Sequence, residues 1–261
     1  EAQRRVNPEL VRLASARAVN PEAYELYLQG QYHYYKWRPD EFQKAIAYFQ
    51  KAIEADPKWA PAYAGLANSY GWLWIEGTLP PQEVLPRFNA ALSTAMEIED
   101  TRPEVRYTLA VRAFYYRWDW GEAEREFKRA LALNPNLVEA RYEYAWFLSS
   151  MGRFAESLTE AKRAVERDPL SVTANLALGS MYSMARQYDE AIPQLRHTIE
   201  LEPNDPRGYG FLAGAYEHTG MYEEAVTTHQ KAMTLSGAQP GEVAALRRAY
   251  SQSGYKGYLM W

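Results

Sequence analysis

One interval organises this chain. Pro135, Pro169 and Pro203 stand 34 residues apart, as do Leu178, Leu212 and Leu246, and again Tyr182, Tyr216 and Tyr250. Gly152, Gly220 and Gly254 keep the same beat, with Arg186 in the one vacant place, and Ala191 and Ala225 repeat it once more. A unit this short cannot bury an apolar face alone, so copies must stack on their neighbours. Between the marks, apolar residues recur at helical spacing, as in Phe127, Ala130 and Leu131 or Ala161, Ala164 and Val165, and no alternating strand pattern survives. The expected architecture is all-α.

Each recurring residue type has a physical task. Small residues at Ala67, Gly179 and Ala213 let the two helices of a unit approach closely, where a larger side chain would overpack at about 1–3 kcal/mol. Gly152 and Gly220 fall where the first helix must reverse into the second, a turn suited to positive φ. Pro135, Pro169 and Pro203 end the second helix before the next unit starts.

The pattern resembles the tetratricopeptide repeat, with its W-x2-L-G-x2-Y, A-x3-F and final Pro. Tyr209, Leu212, Ala213, Tyr216, Gly220, Ala225 and Ala232 make the clearest copy; Tyr63, Leu66, Ala67 and Tyr70 begin another, and Leu178, Gly179, Tyr182, Ala191, Leu195 and Pro203 a third. The resemblance implies a right-handed α-solenoid, a superhelix of about six helical-hairpin repeats plus terminal helices. Its parts are an N-terminal extension (1–20, partly helical), repeats at 21–57, 58–100, 101–135, 136–169, 170–203 and 204–237, and a C-terminal helix with a truncated partial repeat at 238–261. The first repeat fits least well, its first helix registering around either Leu28 or Gly30.

Two irregularities stand out. Ten extra residues separate Pro57 from Pro135, nine of them between Tyr70 and Phe88, so Gly71–Arg87, with Gly77, Pro80, Pro81 and Pro86, reads as an inserted loop in the second repeat. Pro193 falls inside the second helix of the fifth repeat, where it should kink the helix or delay its start.

Composition closes off several chemistries. Lys and Arg total 29 against 33 Asp and Glu, a net charge of −4, which offers no basic face for a nucleic-acid backbone. The chain has no cysteine, and its four histidines form no H-E-x-x-H pair, so no metal or other cofactor is expected. No apolar run reaches the roughly 18 residues of a membrane span. Gly208, Gly210 and Gly214 miss the dinucleotide spacing and follow no strand, Arg4-Arg5 and Arg247-Arg248 are too sparse for a nucleic-acid patch, and no nucleophile–base set is present. No catalytic residue is predicted. The chain opens at Glu1, which reads as a piece of something longer.

The resemblance implies that the first helix of each repeat lines a concave groove through positions 2, 5, 9, 12 and 13. Carried onto this chain, it points to Asn68, Trp72, Tyr107, Phe114, Tyr142, Trp146, Arg207 and His218 as a groove for a protein or peptide partner. Large aromatics away from the packing positions are what such surfaces use. The Lys/Asn carboxylate clamp of chaperone-binding relatives is absent, since Ala64 replaces its Lys and Glu139 and Glu143 stand where later basic or amide groups belong. An aromatic-lined carbohydrate or small-ligand module is the alternative.

A narrower likeness starts at Trp118-Asp119-Trp120 and runs to Leu133-Asn134-Pro135. This segment is similar to one in bacterial multidomain signalling proteins, winged-helix regulators, adenylate cyclases and Ser/Thr kinases, in which a repeat array follows an output domain. It implies a sensory or docking part of a larger regulator. At the other end, Tyr255, Tyr258, Leu259, Met260 and Trp261 form an apolar edge that must fold back or pair with a second copy as a homodimer.

Overall fold

The structure, a computed structural model, describes residues 19–260. The greater part of the expected N-terminal extension, with Arg4 and Arg5, and the final Trp261 lie outside the described residues. Thirteen α-helices and one π-helical turn carry the described chain, and no strand occurs among those residues. They are α1 (Pro21–Tyr34), α2 (Pro39–Ala55), α3 (Ala60–Ile75), α4 (Pro81–Glu99), α5 (Pro103–Val111), the π-turn (Arg112–Arg117), α6 (Trp120–Leu133), α7 (Val138–Ser150), α8 (Phe154–Arg167), α9 (Val172–Met184), α10 (Tyr188–Leu201), α11 (Pro206–His218), α12 (Tyr222–Leu235) and α13 (Pro240–Leu259). Two compact units divide at Leu109 and Ala110, inside α5.

In the first unit α1 pairs with α2 and α3 with α4. Asn20 caps α1 by accepting from the Glu22 amide at 2.9 Å, and its own amide donates to the Ala55 carbonyl at 3.0 Å, tying the start of the repeat to its end. Gly30 settles the register of the first repeat. A Cβ there would stand 2.6 Å from the Phe49 ring, and one on Gly65 would stand 2.7 Å from the same ring, so Phe49 is wedged between two glycines. Trp59 packs with Ala23, Ala52 and Ala62.

The expected loop at 71–87 is mostly helix. Gly71–Ile75 prolongs α3, Pro81–Arg87 forms the first turns of α4, and only Glu76–Pro80 connects them. The prolines misled because Pro81 occupies the first helical position, where its missing N–H has no partner to lose. Pro86 and Pro193 each lie at the sixth position of a helix that continues through them. Pro193 does not delay α10, which starts two residues after Arg186, as α8 starts two after Gly152. One missing backbone bond near a helix start is offset by the packing of the neighbouring turns.

In the second unit the repeat is strict. Helices α6, α8 and α10 each end two residues before Pro135, Pro169 and Pro203. Trp118, Gly152, Arg186, Gly220 and Gly254, spaced by 34, all have positive φ, between 56° and 76°. The three reversals at Gly152, Arg186 and Gly220 close with a bond five residues back: Arg153 to Leu148, Gln187 to Tyr182 and Met221 to Tyr216, each 2.9 Å. At Trp118 the corresponding bond, Asp119 to Ala113 at 3.0 Å, reaches back six. That locates the tenth extra residue. The small residue of this repeat is Ala110, 35 residues before Ala145, and the surplus is absorbed by widening the helix into the π-turn. Packing follows the small residues here too, since a Cβ on Gly179 would sit 2.7 Å from Leu195.

The C-terminal edge folds back. Gly254 breaks α13 with φ 60° and ψ −149°, and the following segment returns along it. Gly257 permits the return, because a Cβ there would meet the Ala249 carbonyl at 2.1 Å. Tyr258 is buried against Val226 and Leu246, its hydroxyl donates to Glu217, and Tyr255 stacks on Tyr222 at 4.0 Å. Leu259 and Met260 remain exposed.

Candidate functional site: the inner faces of the first helices

The predicted groove residues all lie on the first helices of their repeats or, for Phe114, on the π-turn that ends one. In the first unit they are packing residues. Asn68 is buried and donates to Thr108 Oγ1 at 3.0 Å; Trp72 is buried, donates through Nε1 to the Tyr34 hydroxyl at 2.6 Å and lies 4.3 Å from the Trp37 ring. Tyr107 is buried as well. None of the three offers a side chain to solvent.

The second unit is divided. Phe114 is buried edge-to-face against Phe147 at 5.4 Å. Tyr142 is only 1% exposed, packed with Ala164, Ala174 and Ala177. Trp146, by contrast, is half-buried on α7 and reaches Phe211 of α11 at 5.8 Å, so an aromatic bridge joins the fourth and sixth repeats across the face of the fifth. Arg207 is half-buried and folds onto Asp205, the residue capping its own helix, at 2.6 Å. His218 is exposed, with its ring stacked on Tyr188 at 5.4 Å and Nδ1 donating to the Gly214 carbonyl at 2.8 Å. Arg207 and His218 stand eleven residues apart on α11, about 16 Å along the axis, so the predicted residues do not converge on one spot.

Sequence reading named Glu139 and Glu143 only as acids that exclude a carboxylate clamp, and not for their burial. Glu143 is buried on α7 and accepts a hydrogen bond from the Tyr115 hydroxyl at 2.9 Å. Burial pushes its carboxyl up to about 7, against the opposing effect of the Tyr115 bond. Glu139, one turn earlier and half-buried, is also raised by burial, with Asp168 adding to it. Burial raises Tyr116 far above the usual phenol range, and Glu143 adds to this. The π-turn is what brings Tyr115 to this carboxylate, since one residue fewer would rotate the turn by about 100°. Nothing in the spacing of Glu143 distinguishes it from an exposed helix acid; only packing does.

Chemically, these faces offer aromatic edges, the half-buried carboxyl of Glu139 and scattered hydrogen-bonding groups. Among the described residues no cluster of three His, Asp or Glu is placed to hold a metal ion, and no helix is long and apolar enough to cross a membrane.

Comparison with known proteins gives this arrangement a family. A tetratricopeptide-repeat family model matches residues 81–237, and a second one matches 38–58. No curated protein matches the chain by sequence. Among solved structures, the fold is similar to PilW, a widely conserved type IV pilus biogenesis factor, at 19% identity and a TM-score of 0.61, covering 77% of this chain and 89% of that one. It is also similar to PilF of Pseudomonas aeruginosa at 19% identity and a TM-score of 0.56, covering 77% and 88%. Human IFIT1, solved as a dimer with PPP-AAAA, aligns at 20% identity and a TM-score of 0.65, over 85% of this chain and 53% of that one. At these identities the likeness is one of fold. With more than half of its length matched by the family model and its helices paired in the family's manner, the chain belongs to the tetratricopeptide-repeat family.

Proposed function

We propose that the chain is a non-catalytic interaction module that binds a protein segment along the inner faces of α7, α9, α11 and α13. The observation that carries this reading is the accessible residues at the inner positions of successive first helices: half-buried Glu139 and Trp146 on α7, exposed Met184 on α9, and half-buried Arg207 with exposed His218 on α11. Apolar, polar and charged groups spaced one repeat apart suit an extended peptide better than a compact small molecule. Half-buried Glu139 and Glu217 on the same faces disfavour a phosphate backbone. The carbohydrate alternative is weakened because Trp72, Tyr107 and Tyr142 have no free ring face. The Trp118–Pro135 segment supports a place in a larger bacterial regulator, with its own effector domain as one source of the bound segment.

Peptide display against the full chain, followed by calorimetry on the enriched sequences, tests the reading. Met184→Glu and Trp146→Ala should each weaken binding tenfold or more with unchanged far-ultraviolet circular dichroism. No enrichment, binding indifferent to both substitutions, or a calorimetric response to oligosaccharides alone would overturn it.

A further inference from the structure

The repeat register extends past the sixth repeat onto α13. Ala244, Arg248, Ser251 and Gln252 occupy the inner positions that Tyr142, Trp146, Ser149 and Ser150 hold on α7. Together with Arg247 and with Gln230 of α12, these four residues line a pocket of about 460 Å³. That is the size of an ordinary ligand site.

Its chemistry is an excess of donors. Arg248 is exposed and has no carboxylate partner among the described residues. Arg247 pairs with Glu223 through Nη2, but its Nη1 is shielded from solvent and has no hydrogen-bond partner. Arg247 therefore places a charge beside the pocket, and the accessible donors are those of Arg248. Glu217, at an inner position of neighbouring α11, is already engaged by the Tyr258 hydroxyl. Gly210 and Gly214 hold the two α11 positions equivalent to Ala244 and Arg248, and a Cβ on either would meet nothing within 4 Å. Internal packing therefore does not call for these glycines, although glycine weakens a helix, and the strip they leave admits a main chain close to α11.

We infer that this pocket receives the carboxylate of an acidic side chain in a bound peptide. Arg248 holds the carboxylate, a pairing for which guanidinium is suited by its fixed fork of donors, with Arg247 alongside. Ser251 and Gln252 take the adjoining peptide amide. This is not the Lys/Asn clamp missing from the second repeat, because its cations lie on α13 and both are arginine. The inference rests on the groove reading above and adds the charge of the ligand.

The test uses the full chain, 15N-labelled, titrated with acetyl-Gly-Glu-Glu-Gly-amide, with the corresponding Gln peptide and with inorganic phosphate. The Glu peptide should shift the Ser251 amide and Gln252 side-chain signals saturably, and the Gln peptide should bind at least fivefold more weakly. Arg248→Ala should weaken the Glu peptide at least tenfold, with Arg248→Lys intermediate; Arg248 is exposed, so neither change threatens the fold. Equal binding of the Gln peptide, indifference to Arg248→Ala, or tighter binding of phosphate than of the Glu peptide would overturn the proposal. Met184→Glu separates the two readings. Display-selected peptides lost by Met184→Glu but kept by Arg248→Ala would leave the groove standing and remove the pocket, whereas a Glu-peptide response without any Met184-dependent binding would do the reverse.

Discussion

Tyr142 shows how much one residue can mislead. It sits at an inner position by register, yet it is 1% exposed because Ala164, Ala174 and Ala177 close over it. Tyr142→Ala should therefore act on stability, by about 3–5 kcal/mol as for other large-to-alanine core changes. A shift of that size in the urea midpoint at unchanged slope confirms it, and a drop below 1 kcal/mol would return Tyr142 to the binding surface. Small residues were easier to read than large ones. Gly179 must be small because Leu195 stands 2.7 Å from where its Cβ would be, a constraint set within one hairpin. Whether a large aromatic is covered depends also on side chains from other repeats, as Ala174 and Ala177 are for Tyr142.

At the scale of elements, the reversal between paired helices was the most legible feature. It is a local structure, closed by a bond five residues back and a single positive φ, so glycine at 152 and 220 announces it. Arg186 and Trp118 adopt the same conformation with a Cβ, which costs about 1–2 kcal/mol. Arg186 is exposed and has no packing to lose. Arg186→Gly should stabilise the second unit by about 1 kcal/mol, the relief of strain exceeding the added freedom of the unfolded chain. Chemical denaturation measures this directly, and a loss of stability would mean that the arginine makes a contact worth more than its strain. The π-turn and the helical insertion were less legible. Proline signals a helix start as readily as a loop, and a one-residue surplus can be taken up as a bulge, a wider turn or a longer connection. Only the neighbouring helices decide which.

On the scale of the molecule, charge and burial give the stability an opposed pH dependence. In the first unit Glu41 is buried, which alone would raise its carboxyl, but hydrogen bonds from His33 and Lys44 outweigh this and hold it at about 2. In the second, hydrogen bonds from Lys128 and Arg153 hold Glu124 at about 2. Both are depressed in the folded state, so their stabilisation is complete above the ordinary carboxylate value and is lost as pH falls toward 2. Glu143 has the opposite sign. Raised to about 7, it retains its proton in the folded state while the unfolded chain has released it, so stability falls as pH climbs from about 4.5 to 7 and then levels. Thermal unfolding should be most resistant near pH 5. Glu143→Gln should remove the decline toward neutrality, raising stability at pH 8 by roughly 2–4 kcal/mol at one pH unit per 1.4 kcal/mol. A wild-type profile flat between pH 5 and 8 would contradict this assignment.

The hairpin, its length, its turns and its proline stops were determined by sequence, because each is specified by contacts within about 34 residues and so leaves a periodic mark. Tertiary structure alone decided which inner-face residues meet solvent. Trp146 touches Phe211 from two repeats away, Tyr115 reaches Glu143 only through a widened helical turn, and the chain beyond Gly254 comes back to cover Glu217. Accessibility on a stacked surface is set by side chains that arrive from other repeats, and the period that builds the stack carries no record of them.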